Sequence, residues 1–309
     1  MAEKEGRTRE CIIIGAGIAG LTAAVYAARK RMDFLILSTD FGGQFNVSGE
    51  VLNYPGIVKT TGAEFSEKML EQMKFNDVDV KQETVQAVEK LENDNFNIKT
   101  NKNEYRARAI IICSGARARK LNVPGEKGFA NKGVTYCSVC DGPLFKGKKV
   151  AVIGGGNSGF EAADFMLNIA EKIYLLDAAD EPNAQEYLVE RINGNDKVEY
   201  INEANIKEIR GDKFVKGLKY EKDRKEHDIE VEGVIIEIGR VPNTGPFREL
   251  VKTDEHGHII INQNTETSAE GAYAAGDCAS GGEYQYCIAA GQGCMALLKA
   301  ARYLAKKEG

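Results

Sequence analysis

Cys137 and Cys140 stand three positions apart in Cys137-Ser138-Val139-Cys140-Asp141-Gly142, a spacing that lets two thiols close into a disulfide and reopen. Asp141, next to the second sulfur, is an acid able to shuttle the proton that thiol–disulfide exchange requires. Shortly afterwards comes a glycine-rich turn, Gly154-Gly155-Gly156-Asn157-Ser158-Gly159, and a similar one, Gly15-Ala16-Gly17-Ile18-Ala19-Gly20, stands near the N-terminus. A redox dithiol with two dinucleotide turns describes a chain that moves electrons from a nucleotide to a disulfide.

The glycines fit that chemistry one by one. Gly15 permits a tight turn, Gly17 lets the backbone approach a pyrophosphate, and Gly20 lets helix and strand pack closely; Gly154, Gly156 and Gly159 repeat the pattern, with Asn157 and Ser158 as further nucleotide-binding candidates in the same turn. Each helix N-terminus adds free N–H groups and a positive dipole end for phosphate. A glycine turn with no ligand is the bland alternative. For the second turn, Asp177 follows the strand Lys172 to Leu176, 23 residues after Gly154; an acid there accepts adenosine ribose hydroxyls, whereas a 2′-phosphate calls for arginine. Ala178, Ala179, Asp180, Glu181 and Asn183 bring no cation to the neighbourhood. Asp177 as a mere turn cap is the competing reading. At the first turn the equivalent strand ends Leu37-Ser38-Thr39-Asp40, so Ser38 or Asp40 is the candidate. For the C-x-x-C pair the alternative is half a zinc site, but zinc needs two further ligands, and there is no second C-x-x-C and no paired histidine. A thioredoxin-type fold is disfavoured because Gly142-Pro143 interrupts the segment, which leaves the dithiol in a loop between nucleotide units.

Strand, glycine turn and helix recur in order. Cys11 to Ile14 and an alanine-rich helix from Leu21 to Arg29 flank the first turn; Val150 to Ile153 and Phe160 to Asn168 flank the second, 139 residues later. The expected fold is α/β, with two Rossmann-like dinucleotide-binding domains, the second inserted into the first. Residues 1–115 and 246–309 form the first domain and 116–245 the second, which carries the cysteine pair. Val241-Pro242-Asn243-Thr244-Gly245-Pro246 reads as a linker, and the C-terminal part, with Ala274-Ala275-Gly276-Asp277 and a helix from Gly291 to Lys306, returns to complete the first domain.

With 309 residues, 43% of them apolar, the chain suits two cores. A net charge of −5 with dispersed basic residues argues against a nucleic-acid partner. The polar stretch from Met1 to Glu10 has no apolar leader segment and no later run approaches a membrane span, so a soluble, cytoplasmic protein is expected. Five of the seven cysteines are scattered in or beside apolar segments, as in a reducing compartment.

Assembled, these residues resemble the low-molecular-weight thioredoxin reductases and, as closely, the reductase portion of the alkyl hydroperoxide reductase flavoprotein. The resemblance runs from Gly15 to about Leu304 and is most specific at Cys137 to Gly142, Gly154 to Gly159 and Thr267 to Asp277. It implies FAD on the first turn, with Asp277 at its ribitol-phosphate arm and Gly43, Gln44, Asn53 and Gln285 lining the flavin. It places a nicotinamide nucleotide on the second turn. Cys140 becomes the sulfur facing the flavin, Cys137 the one that attacks a partner disulfide, and Asp141 the acid-base. A homodimer is also implied.

Three departures matter. A histidine and two arginines expected after the second ribose-site strand, with another arginine beyond, are Asp177, Ala178, Ala179 and Asn183, so NADH is expected over NADPH. The hydroperoxide reductase flavoprotein has an extra N-terminal redox module, and this chain begins almost at the first strand, so an external protein is expected to take that role. Tyr284 replaces a usually basic residue, either stacking near the flavin or filling space. The resulting reading is an FAD-dependent disulfide reductase passing electrons from NADH through Cys137–Cys140 to a thioredoxin- or glutaredoxin-like protein. Its rivals are the same chemistry with a donor such as ferredoxin, a redox sensor without turnover, and a peroxide-forming NADH oxidase.

Overall fold

Ile12-Ile13-Ile14 and Ile110-Ile111-Ile112 are apolar without alternation, the pattern of central parallel strands buried on both faces. In the computed structural model, which describes residues 7–48, 50–281 and 283–308, these runs belong to Thr8–Ile14 and Glu104–Ile112, paired in parallel. They lie at the centre of a sheet ordered Val80–Gln82, Phe34–Ser38, Thr8–Ile14, Glu104–Ile112, Phe96–Thr100, Val85–Lys90, with Ala272–Ala274 also on Glu104–Ile112. Successive strand residues point to opposite faces. Cys11, Ile13, Ile36 and Ile111 therefore face one core, and Ile12, Ile14, Leu35, Leu37, Ile110 and Ile112 face another. The first core is covered by helices Ile18–Arg29, Gly62–Phe75 and Tyr286–Glu308.

The middle helix begins with a capping box, in which Thr61 Oγ1 accepts the Glu64 amide at 3.2 Å and Glu64 Oε2 accepts the Thr61 amide at 2.9 Å. The other two helices pack backbone to backbone: a Cβ on Gly293 would overlap the Ala19 carbonyl. That close approach explains a difference from expectation. Gly291 reads as a helix start, yet the helix begins at Tyr286 and takes both glycines in its interior, with Gly293 serving as a packing notch.

The chain divides into two units, Met1–Arg117 with Val241–Gly309, and Ala118–Arg240. The second unit has an all-parallel sheet ordered Val134–Thr135, Gly233–Ile236, Lys149–Ile153, Lys172–Leu176, Val198–Ile201. One face packs Ala151, Ile153, Leu176 and Ile236 against an antiparallel meander, Asn205–Gly211, Val215–Lys222 and Lys225–Ile229. The other packs Val150, Val152 and Leu175 against helices Asn157–Met166 and Glu186–Asn193. Both glycine-turn helices start earlier than expected, at Ile18 and Asn157, because Gly17 and Gly156 themselves are the N-caps. Among the described residues, no helix is long and apolar enough to cross a membrane. Residues 1–6, most of the polar N-terminal stretch, lie outside the described residues.

Candidate functional site

In the unit Ala118–Arg240, Cys137 and Cys140 form a disulfide with Cα atoms 5.3 Å apart. The pair is not in a plain loop. Cys137 caps a one-turn helix, Ser138–Asp141, continued by a 3-10 turn at Gly142–Phe145. Pro143 falls within the first positions of that turn, where a missing N–H leaves nothing unpaired. Cys140 N–H donates to Cys137 Sγ at 3.2 Å, a contact that favours negative charge on Cys137 once the bond opens. Thr135 links the pair to the acid: its Oγ1 accepts the Cys137 amide at 3.2 Å and donates to Asp141 Oδ2.

Behind Cys137, Tyr136 is fixed on three sides. Its hydroxyl donates to Glu126 Oε1 at 2.8 Å, Lys120 Nζ lies 3.5 Å from its ring centroid, and Arg240 donates to its carbonyl at 3.2 Å. Glu126, only 4% exposed, also accepts the amides of Leu121 and Asn122 at 3.1 and 2.7 Å. Burial holds the Lys120 ammonium below its usual range. Sequence reading missed Thr135, Glu126 and Glu237, because single polar residues in turns or on or beside short strands carry no spacing signal.

The second glycine turn is in the same unit. Gly154 has φ +134, and a Cβ there would overlap the Glu237 carbonyl; one on Gly159 would overlap the Gly154 carbonyl, and one on Gly155 the Asp177 carboxylate. Asp177 Oδ1 accepts the Ala179 amide at 3.2 Å and Oδ2 the Tyr200 hydroxyl at 3.3 Å. It therefore caps its turn, and each oxygen retains a lone pair for another donor. Burial, with Asp177 beside it, pushes the Tyr200 phenol up to about 12, so Tyr200 stays a donor. The following loop folds back onto the turn: Asn183 N–H donates to the Gly155 carbonyl and Gln185 N–H to Asn157 Oδ1, both at 2.8 Å. Asn157 thus holds the loop that carries Ala178, Ala179 and Asn183. Ala178 and Ala179 are exposed.

In the other unit, a cavity of about 770 Å³ is bordered by Gly15, Gly17, Ser38, Gly43, Gln44 and Asp277. A Cβ on Gly17 would meet no atom within 4 Å, so its bare Cα leaves an open approach from the cavity, as a pyrophosphate requires. These residues fit a dinucleotide such as FAD. Ser38 Oγ accepts the Ala16 amide at 3.1 Å, and Gln44 donates to the Ala116 carbonyl at 2.8 Å. Three expected residues do not border the cavity. Gly20 packs against the Gly15 carbonyl, and Asn53 donates to Gln285 Oε1 at 3.2 Å. The Tyr284 hydroxyl bonds His258 Nε2 at 2.7 Å, and His258 Nδ1 lies 3.3 Å from Asp254.

Gly20 gives a direct test of this cavity. Gly20→Ala forces a methyl against backbone rather than a yielding side chain, so the helix must lift off its strand. Overpacking of this kind costs about 1–3 kcal/mol, and the expected outcome is about tenfold weaker flavin retention, read as flavin absorbance per chain after purification. Wild-type flavin content in the variant would contradict this account of the turn.

Residues 9–301 match the family model described as pyridine nucleotide-disulphide oxidoreductase. The chain is 40% identical to an alkyl hydroperoxide reductase polypeptide of Escherichia coli (strain K12), covering 96% of this chain and 58% of that protein. It is 36% identical to a thioredoxin reductase of Mycolicibacterium smegmatis, covering 97% of each. Among solved structures, thioredoxin reductase from Streptococcus pyogenes MGAS5005 superposes with a TM-score of 0.91 at 35% identity, over 97% of this chain and 99% of that one. The chain spans less than three-fifths of the length of several curated relatives it matches. With a match from the first strand into the last helix, and two dinucleotide turns with a C-x-x-C disulfide in that span, the chain belongs to the pyridine nucleotide-disulphide oxidoreductase family.

Proposed function

We propose that this chain is an FAD-dependent, thioredoxin reductase-like disulfide reductase that passes electrons from NADH to the Cys137–Cys140 disulfide and on to a thioredoxin- or glutaredoxin-like protein. The observation that carries the reading is the oxidised Cys137–Cys140 pair, hydrogen-bonded at Cys137 and linked through Thr135 to Asp141, in the same unit as a dinucleotide turn. Residues 1–115 and 246–309 hold FAD, with Gly15 and Gly17 at the pyrophosphate and Asp277 at the ribitol-phosphate arm. Residues 116–245 hold the nicotinamide nucleotide at Gly154 to Gly159, with Asp177 on the ribose. When bound, FAD supplies two-electron transfer between nucleotide and disulfide. Cys137, as thiolate, attacks the partner disulfide, Cys140 resolves the mixed disulfide, and Asp141 moves the proton.

The test is an anaerobic titration of the purified flavoprotein with NADH, NADPH and reduced ferredoxin in parallel, followed by steady-state reduction of a thioredoxin and a glutaredoxin. NADH should bleach the flavin at the lowest concentration, and one of the two proteins should turn over. Bleaching by ferredoxin alone would overturn the donor assignment, and bleaching without reduction of any protein disulfide would overturn the acceptor.

A further inference from the structure

Glu237 touches both parts of its unit's chemistry. It follows strand Gly233–Ile236, its amide donates to the Ile153 carbonyl at 2.8 Å, and its own carbonyl occupies the space where Gly154 would need a Cβ. The backbone is thus locked against the glycine turn. Its side chain reaches the segment between the two cysteines: Oε1 accepts the amide of Ser138, the residue directly after Cys137, at 3.4 Å.

The surroundings are charged on several elements. The disulfide and Asp141 stand on the one-turn helix, Glu161 on helix Asn157–Met166, and Arg240 just beyond Glu237 itself. Burial pushes the Glu237 carboxyl up to about 7, with Glu161 acting in the same direction and the Ser138 amide and Arg240 opposing it. A carboxyl poised to titrate at neutrality and hydrogen-bonded between the two cysteines has a natural partner in the protons of that disulfide's reduction.

We propose that Glu237 is a proton-accepting positioning residue for the Cys137–Cys140 pair, taking up one of the two protons of reduction above neutral pH so that the pair stands as one thiol and one thiolate. Two electrons break the S–S bond, one proton goes to the Cys140 sulfur and one to the Glu237 carboxylate. Cys137 keeps the negative charge, held by the Cys140 N–H. The new thiolate raises the carboxyl's pKa further, so the two groups titrate as one coupled system. In the oxidised protein Glu237 is ionised above about pH 7; reduction adds charge beside it, and the carboxylate is the group that gains the proton.

The inference rests on the pair being redox-active, as in the proposed function, and its test separates the two. The flavoprotein and Glu237→Gln are equilibrated anaerobically with mixtures of reduced and oxidised dithiothreitol, which gives up two electrons and two protons on cyclising. Alkylation and mass spectrometry of the Cys137–Cys140 peptide then give the reduced fraction. From about pH 7 to about pH 8.5 the wild-type equilibrium constant should stay level, because one proton has moved to Glu237. In Glu237→Gln that proton is released, and the constant should rise about tenfold per pH unit. Parallel curves would overturn the proposal, and a pair that dithiothreitol never reduces would overturn the proposed function with it. Should Glu237→Gln fail to fold, infrared difference spectra of the unsubstituted protein at about pH 8 decide the matter. A protonated carboxylic acid band, shifted by isotopically labelled glutamate, should appear on reduction, and its absence counts against Glu237. A purely structural role moves neither readout.

Discussion

Cys137→Ser and Cys140→Ser should each lower protein-disulfide reduction by on the order of a thousandfold or more, because exchange proceeds through both sulfurs and the two act as a unit. FAD content should be unchanged. The cavity with Gly15, Gly17 and Asp277 belongs to the other unit and contains neither cysteine. The two variants should differ from each other. Cys140→Ser keeps Cys137, the sulfur that receives the backbone N–H from position 140, and with no resolving thiol it should accumulate a mixed disulfide with a thioredoxin-like partner. Cys137→Ser keeps only the sulfur expected to face the flavin and should trap little. Non-reducing mass spectrometry after mixing each variant with oxidised partner reads the difference directly. Partner reduction at wild-type rate by either variant would end the assignment.

The features legible in the sequence are those with a fixed chain spacing. Both strand–turn–helix units are where the glycines put them, because a bound pyrophosphate and a close helix–strand contact each demand a missing side chain at a set position. The α/β class follows from the recurrence of strand, glycine turn and helix, and the unbroken isoleucine runs such as Ile110-Ile111-Ile112 prove to be its central parallel strands. Boundaries are harder. Gly291 looks like a helix start, and only the packing of Gly293 on the Ala19 carbonyl shows why glycine is tolerated inside that helix. Gly142-Pro143 does end the α-helix after one turn, at Asp141, and the chain goes on as a 3-10 turn in which Pro143 sits at an early position. The site's supporting residues are not legible at all. Thr135 is near the pair in sequence but carries no motif, and Glu237 meets the Ser138 amide only because Val134–Thr135 and Gly233–Ile236 are adjacent parallel strands, a pairing across about a hundred residues of chain. Tyr284 is visible as a departure, but its partner His258 becomes apparent only in three dimensions.

Nucleotide choice should follow the same local chemistry, with kcat/KM for NADH exceeding that for NADPH by about tenfold or more. A 2′-phosphate at this ribose site would meet the Asp177 carboxylate, with alanine at 178 and 179 and asparagine at 183. Each missing hydrogen bond between a charged donor and the phosphate is worth roughly 1.5–3 kcal/mol, so the loss of one already accounts for a factor of about ten. Repulsion by Asp177 adds to it, while the same carboxylate binds the free ribose hydroxyls of NADH. Asp177→His with Ala178→Arg and Ala179→Arg should move the preference toward NADPH. The two arginines enter at exposed positions and disturb no core. The histidine is the demanding change, because the Asp177 carboxylate lies over the bare Cα of Gly155 and accepts bonds from Ala179 N–H and the Tyr200 hydroxyl. The double variant Ala178→Arg, Ala179→Arg keeps those bonds and should gain NADPH use while retaining NADH use, whereas the triple variant should also lose NADH use. Rapid-mixing measurement of flavin reduction by each nucleotide, in all three proteins, separates the contribution of the cations from that of the acid. Better use of NADPH by the unsubstituted protein would refute this reading of the pocket. Reduction by neither nucleotide would instead show that the second glycine turn survives as a packing element, which the tight contacts of Gly154 and Gly159 would by themselves sustain.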